Sequence, residues 1–259
     1  MTLRDQTVLV TGASSGIGEA CARAFAAAGA RVLVCARRGD RLAALAEELR
    51  AAHGVEVHHF TLDVRSRDAV EEAFAALPES WRVPDVLVNN AGLSRGLVPL
   101  HEGLRDDWEE MIDTNVKGLL WISRLLLPAM VERGSGKVVN IGSIAGREVY
   151  PNGAVYCASK HAVAAITAGM RIDLNGTGVS VSTVDPGLVD TEFSRVRFHG
   201  DQARADATYV GMTPLSGADV AETVLWVASR PPHVNVADVL LLPADQAAAT
   251  VVHRRGDTP

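Results

Sequence analysis

Seven short runs of apolar, often β-branched residues constrain this chain more than any other feature: residues 7–10, 31–35, 55–61, 85–88, 137–141, 179–184 and 238–242. Several are apolar throughout, as strands are when both faces are buried, and such strands belong to parallel sheets. Parallel neighbours cannot be joined by a tight turn; each pair needs a crossover, usually through a helix. The intervening stretches predict those helices over residues 16–28, 41–52, 68–77, 106–132, 154–174 and 218–229. Gly54, Pro78, Asn175-Gly176 and Pro231-Pro232 mark helix ends, and Pro128 predicts a bend or interruption inside the fourth. Right-handed crossovers place helices on both sides. The expectation is one α/β domain over residues 1–259, a doubly wound parallel sheet of about seven strands with helices on both faces.

Apolar residues make up 47% of the chain but aromatics only 5%, which suits small-residue packing of helices on a sheet. Two stretches stand outside the alternation. Residues 186–217 are long, polar and weakly periodic, and an insertion after a strand end is more often functional than idle, so they are expected to form a substrate loop. Residues 251–259 read as a polar tail expected to fray.

The net charge of -6, dispersed along the chain, excludes an obvious nucleic-acid binder and suits solubility. Cys21, Cys35 and Cys157 lack metal-ligand spacing and fit a reducing, cytoplasmic setting. Cys157 reads as a small packing residue. The histidines are scattered, His58-His59 reads as surface, and no metal site is expected. Residues 1–10 lack the pattern of a signal peptide, and no apolar run approaches the roughly 20 residues of a membrane span.

The first run leads into Thr11-Gly12-Ala13-Ser14-Ser15-Gly16-Ile17-Gly18 and then a helix. Glycines let a backbone turn tightly and approach a pyrophosphate, and the helix N-terminus offers free N–H groups and a positive dipole end. A glycine-rich turn is informative when it lies between strand and helix, as here.

The spacing Gly12-x3-Gly16-x-Gly18 resembles the T-G-x3-G-x-G turn of the short-chain dehydrogenase/reductase family. Asn89-Asn90-Ala91-Gly92 is similar to that family's N-N-A-G motif, and Asn115, Ser143, Tyr156 and Lys160 fall where its catalytic tetrad should. Pro186-Gly187 follows the sixth strand as it does in the family. The resemblance covers nearly the whole chain. It implies a Rossmann-type fold, an oxidoreductase acting on CH–OH donors with a nicotinamide cofactor, and a homo-oligomer, commonly a tetramer, built through the long helices after the fourth and fifth strands. Met111, Leu119, Trp121, Leu125 and Leu126 give the first of these helices apolar surface for core and interface together.

Dinucleotide folds that take NAD usually place an acid at the end of the second strand, on the ribose 2′-hydroxyl. Here that strand ends Ala36-Arg37-Arg38. A guanidinium fork suits a 2′-phosphate, and arginine is unfavourable at a helix start unless something anionic faces it. The expected cofactor is therefore NADP (NADPH), although Ser15 stands where many NADP-dependent relatives carry a further basic residue. Asp63-Val64 resemble the family's adenine contact, while Asp63 is also placed to cap a helix near Arg65 and Ser66. The expected cofactor cradle is Gly12, Ser14, Ser15, Gly16, Ile17, Gly18, Arg37, Arg38, Asp63, Val64, Asn90, Ala91, Gly92, Tyr156, Lys160, Pro186, Gly187, Val189 and Thr191.

Tyr156 and Lys160 are four apart on one predicted helix and so share a face. A tyrosine with a pKa near 10 is a poor acid–base catalyst at neutral pH, and a neighbouring ammonium is expected to lower it. The resemblance implies that Lys160 also holds the nicotinamide ribose, that Ser143 holds the substrate oxygen, and that Asn115 holds a water linking Lys160 to solvent. It further implies that Val189 and Thr191 hold the nicotinamide carboxamide.

Residues 194–201, Tyr209 and His233-Val234-Asn235-Val236 resemble one branch of the family, the NADP-dependent 3-hydroxy acid and serine dehydrogenases that also reduce malonic semialdehyde. A small hydroxy acid, alcohol or its carbonyl counterpart is the expected substrate; the alternatives are a specialised-metabolite aldehyde or ketone, a ketoacyl thioester, or a non-catalytic dinucleotide-binding regulator. Arg195 and Arg197 are placed to pair with a substrate anion or equally to face solvent or ribose. Arg95, Arg147 and Glu148 flank the expected pocket.

Overall fold

The computed structural model describes residues 3–256. In chain order its elements are β1 (Thr7–Thr11), α1 (Gly16–Ala27), β2 (Arg31–Ala36), α2 (Gly39–His53), β3 (Val57–Thr61), α3 (Arg67–Ala75), β4 (Val86–Asn89), α4 (Arg105–Ile112), α5 (Leu119–Arg133), β5 (Gly136–Ile141), α6 (Ala154–Asp173), β6 (Val179–Pro186), β7 (Val189–Asp190), α7 (Glu192–Arg197), α8 (Gln202–Ala207), β8 (Leu215–Ser216), α9 (Gly217–Ala228) and β9 (Asp238–Leu241). All seven expected strands are present, and their order is β3-β2-β1-β4-β5-β6-β9, parallel throughout.

Period-two alternation explains the two apolar faces. Val8 and Val10 of β1 face a layer built on α1, α2 and α9, where Phe25, Leu42 and Val224 are fully buried. Leu9 faces the opposite layer with Val70, Phe74, Ile122 and Met130 of α3 and α5. The chain reverses its direction of travel across the sheet between β1 and β4, and in open α/β sheets the crevice beyond the carboxyl ends at such a point is where ligands bind.

Three expectations require correction. Pro128 does not interrupt its helix; it lies on the exposed side of α5, where the carbonyl it leaves unbonded can meet water. The predicted helix 106–132 is divided earlier, by a π-helical stretch, Asp113–Gly118, between α4 and α5. Residues 186–217, the expected substrate loop, hold α7, α8 and the two-stranded parallel pairing of β7 with β8. Residues 251–256 do not fray. Val252 bridges to Gln246, and Arg254 donates to the carbonyls of Thr208 and Val210. The last three positions of the expected tail lie outside the described residues. On the long helix, Met111, Leu119 and Leu126 are buried within the chain, while Trp121 and Leu125 are half-buried.

Candidate active site

One cleft of about 850 Å³ runs along the carboxyl ends of the strands from the glycine turn to Tyr156. At its first end, Gly12 and Gly16 adopt φ of +67° and +57°, the left-handed region in which a side chain is strained. A Cβ on Gly12 would stand 2.8 Å from the Ala91 Cα, so the turn and the Asn90-Ala91 segment can pack only around a glycine. Asn90 completes this contact by donating to the carbonyls of Thr11 and Gly12, while the Thr11 hydroxyl accepts from the N–H groups of Asn90 and Ala91.

The N-terminus of α1 has no side-chain cap: Ser15 occupies the capping position, but its hydroxyl accepts from Arg38 at 2.7 Å instead. The first N–H groups of α1 are thus left for an anion, which is the condition for holding a pyrophosphate. Arg38 also donates to the Ser14 hydroxyl at 3.1 Å. It therefore brings its guanidinium to the glycine turn, where Ser15 supplies no charge of its own. The residues present fit a dinucleotide carrying a 2′-phosphate.

Arg38 also reaches beyond the turn. Its Nη1 donates to Glu192 at 2.8 Å, and Arg41 donates to the other oxygen of that carboxylate at 2.9 Å. The hydrogen bond from Arg38, followed by that from Arg41, holds the Glu192 carboxyl down at about 2 against burial. Arg37 turns away from the turn toward Glu110 of α4, at 3.3 Å. Asp63 is not a helix cap. Ser66 caps α3, and Asp63 instead takes four hydrogen bonds from the Arg65 side chain and backbone that hold its carboxyl below the usual range.

Each expected cofactor residue lines the cleft except Gly18. Gly18 packs beneath it: a Cβ there would meet the Asn90 side-chain nitrogen at 2.4 Å and the Gly12 carbonyl at 2.5 Å, so its role is close packing of α1 on the turn. Thr191 caps α7 and touches Gly16, so it ties residues 186–217 to the turn.

At the far end, Ser143 follows β5 and caps a single 3-10 turn, Ile144–Gly146, by accepting from the Ala145 N–H at 3.1 Å. Tyr156 and Lys160 project from α6 into the cleft, each 7% exposed. Lys160 Nζ donates to the Ile141 carbonyl at 2.9 Å. Burial brings its pKa down to about 8, opposed by the charge of Asp185.

The expected lowering of Tyr156 by Lys160 does not hold in this structure. Burial pushes the Tyr156 phenol up, and the groups that pull against burial are Arg197 and then Ser143. The physical reason is orientation: Lys160 spends its charge near Ile141, while the Arg197 guanidinium lies 5.2 Å from the Tyr156 ring.

Asn115 is not on the cleft wall. It sits in the π-helical stretch, 2% exposed, exchanging hydrogen bonds with the Leu93 backbone and donating to Ser159. Its side chain is fully occupied as a strut behind Gly92 and Lys160.

The structure separates the two arginines left open by the sequence. Arg195 is exposed and pairs with Glu192. Arg197 enters the cleft, held by hydrogen bonds to Ser94 at 3.1 Å and the Tyr150 hydroxyl at 3.0 Å. Arg95 donates to Glu110 and to the Val196 carbonyl, and Glu148 accepts from the Ala249 N–H. Tyr150, Phe193 and the segment Ala249, Thr250, Val252 and Arg254 also line the cleft. Sequence reasoning missed them because nothing local in Tyr150-Pro151 or in the polar tail marks a pocket wall; their placement is set by tertiary contacts. Cys157 is 1% exposed and packs near Leu93 and Met111. His58 is half-buried on β3 with its ring 5.6 Å from that of Trp81, so it is not a simple surface residue.

The short chain dehydrogenase family model matches residues 6–202. The chain is 50% identical to the NADP-dependent 3-hydroxy acid dehydrogenase of Salmonella typhi over 249 residues, which is 95% of this chain and 99% of that protein. It is 47% identical to sulfoacetaldehyde reductase 2 of Chromohalobacter salexigens over 93% of this chain and 95% of the other. Among solved structures, the closed form of a serine dehydrogenase complexed with NADP+ superposes with a TM-score of 0.89 at 46% identity, covering 96% of this chain and 100% of that one.

Proposed function

Because this chain belongs to the short-chain dehydrogenase family and is an oxidoreductase acting on CH–OH donors, we propose that it interconverts a small anionic hydroxy acid and its carbonyl form with NADP. The observation that carries this reading is the place of Arg197, whose guanidinium lies beside the Tyr156 ring on the cleft wall. The carboxylates lining the cleft, Asp63 and Glu192, are both engaged by arginines at the turn end. The catalytic end therefore presents Lys160, Arg197 and Arg254 with no carboxylate among the described residues that line its wall. Both curated relatives act, by their names, on compounds that carry an acid group.

NADPH bound along the cleft would supply the hydride. Tyr156, raised by burial, keeps its proton at neutral pH and can donate it as negative charge develops on the carbonyl oxygen. Ser143 stands beside Tyr156 to share that charge through a second hydrogen bond. Lys160, an ammonium below about pH 8, can hold a ribose hydroxyl. Replacement of the Tyr156 proton runs through Lys160 toward the Asn115 backbone, since the Asn115 side chain is committed to Leu93 and Ser159. Oxidation reverses each transfer.

The test is a kinetic panel. With NADP+, the protein is expected to oxidise 3-hydroxypropionate, 3-hydroxybutyrate or L-serine with a kcat/KM well above that for uncharged alcohols of the same length. Arg197→Met should raise KM for the acids by about tenfold or more, the worth of a charge-assisted hydrogen bond, and leave uncharged alcohols within a few fold. Equal losses on both sets, or a preference for uncharged alcohols, would overturn the assignment.

A further inference from the structure

Asp185 is a buried acid that the reaction above does not use. It lies at the end of β6, 3% exposed. Its carboxylate accepts from Arg147 Nε at 2.7 Å, pairs with Arg147 Nη2 at 2.6 Å, and accepts from the Thr183 hydroxyl at 2.6 Å. Arg147 directly follows the 3-10 turn that Ser143 caps. Gly142, just before Ser143, makes the contact possible: a Cβ there would stand 1.8 Å from Asp185 Oδ1. The residue before Gly142 is Ile141, whose carbonyl accepts from Lys160. The turn also presses on Lys160 itself, for a Cβ on Gly146 would meet the Lys160 carbonyl at 2.7 Å.

An ion pair in this position needs a reason. Replacing a buried pair by apolar residues is often neutral or stabilising, so stability alone does not account for it. Its location does: one carboxylate, wedged against Gly142, stands between the strand end that receives Lys160 and the turn that carries Ser143.

We propose that Asp185 and Arg147 form a positioning pair for the reaction, clamping the Ser143 turn to β6 and setting how much negative charge Lys160 experiences. Asp185 supplies the charge and Arg147 tempers it, so the two act on Lys160 in opposite senses. Several of the other charged groups on the elements packed against α6 have partners of their own. Asp107 of α4 is engaged by His199 and Glu110 by Arg95 and Arg37. Asp113 pairs with Lys117, Glu148 accepts from Ala249, and Arg197 is held by Ser94 and Tyr150. On α6 itself, His161 is exposed and contacts the Cys157 carbonyl.

The inference rests on reading Lys160 as partner of Tyr156, and pH profiles of kcat/KM for carbonyl reduction test the two separately. The wild type should lose activity as pH rises through about 8, where Lys160 gives up its proton. Asp185→Asn, which retains groups able to bond Arg147 and Thr183, should move that alkaline limb to lower pH by about one unit. Arg147→Gln, which leaves the carboxylate unneutralised, should move it to higher pH. Opposite shifts are what a merely structural role would not produce. Limbs that stay in place, or move in the same direction, overturn the proposal; a wild type with no limb between pH 7 and 9 overturns the reading of Lys160 and the proposal with it. Should Asp185→Asn fail to fold, Arg147→Gln decides alone, since the Arg147 side chain is 38% exposed and its loss leaves the core intact.

Discussion

At the glycine-turn end of the cleft, the side chains of Arg37 and Arg38 are 52% and 39% exposed, and each reaches a carboxylate on a distant element, Glu110 and Glu192. At the other end Tyr156 and Lys160 are each 7% exposed, and neither has an ionic partner in direct contact. Exposed charges are screened and their pairs exchange easily, which suits recognition of a ligand that must come and go. Buried groups feel each neighbouring charge strongly, which suits tuning of proton affinity. The two ends of one cleft thus carry two kinds of electrostatics, one suited to recognition and the other to tuning a proton.

The largest expected effect lies at the buried end. Tyr156→Phe removes one hydroxyl, and turnover should fall by roughly 10²–10⁴-fold, the worth of a positioned general acid, while NADPH affinity changes little. Fluorescence titration with NADPH beside steady-state rates checks both halves, and activity within a few fold of wild type would refute the acid–base role.

The next effect lies at the exposed end. Arg37→Ala with Arg38→Ala should raise KM for NADPH by about tenfold to a hundredfold and leave KM for NADH nearly unchanged. The structure sharpens this expectation, because Arg38 touches Ser14 and Ser15 whereas Arg37 points to α4. Most of the loss should therefore follow Arg38→Ala alone. Equal penalties for both cofactors would show that these arginines do not read the phosphate.

The smallest effect tests the contrast itself. Raising ionic strength from about 0.05 M to 0.5 M shortens the screening length several-fold, so KM for NADPH should rise by a few fold while kcat at saturation holds steady. A fall in kcat with no change in KM would mean that the division between a screened and an unscreened end is wrong.

The parts that could be read from the chain alone are those set by local pattern. Short apolar runs gave every strand of the main sheet to within a residue or two, because burial on both faces leaves no other composition. The glycine turn and the Tyr156–Lys160 spacing are likewise contained in a few adjacent residues. What escaped depends on partners far along the chain. Nothing near Asn115 announces a π-helical stretch; it forms where the side chain meets Leu93 and Ser159, which come from other elements. Pro128 drew attention as the helix breaker, yet its position on the solvent face made it harmless. Arg195 and Arg197 look alike in sequence, and only the packing of α7 against Ser94 and Tyr150 turns one outward and the other inward.

Lys160 carries a consequence for the endurance of the molecule. An unfolded lysine titrates near 10.4, whereas burial in this fold brings Lys160 to about 8. The unfolded chain binds the proton more tightly, so this side chain destabilises the native state by about 3 kcal/mol at neutral pH. That penalty is full below about pH 8 and fades as pH rises toward the unfolded value, the opposite of the usual alkaline weakening. Set against the 5–15 kcal/mol that commonly separates native from unfolded domains, a single side chain takes a visible share. Replacing it with methionine should raise the melting temperature at pH 7 while leaving an inert protein, and calorimetry showing no gain would contradict that penalty. The cation proposed to serve the chemistry is, in thermal terms, a weakness the rest of the fold has to carry.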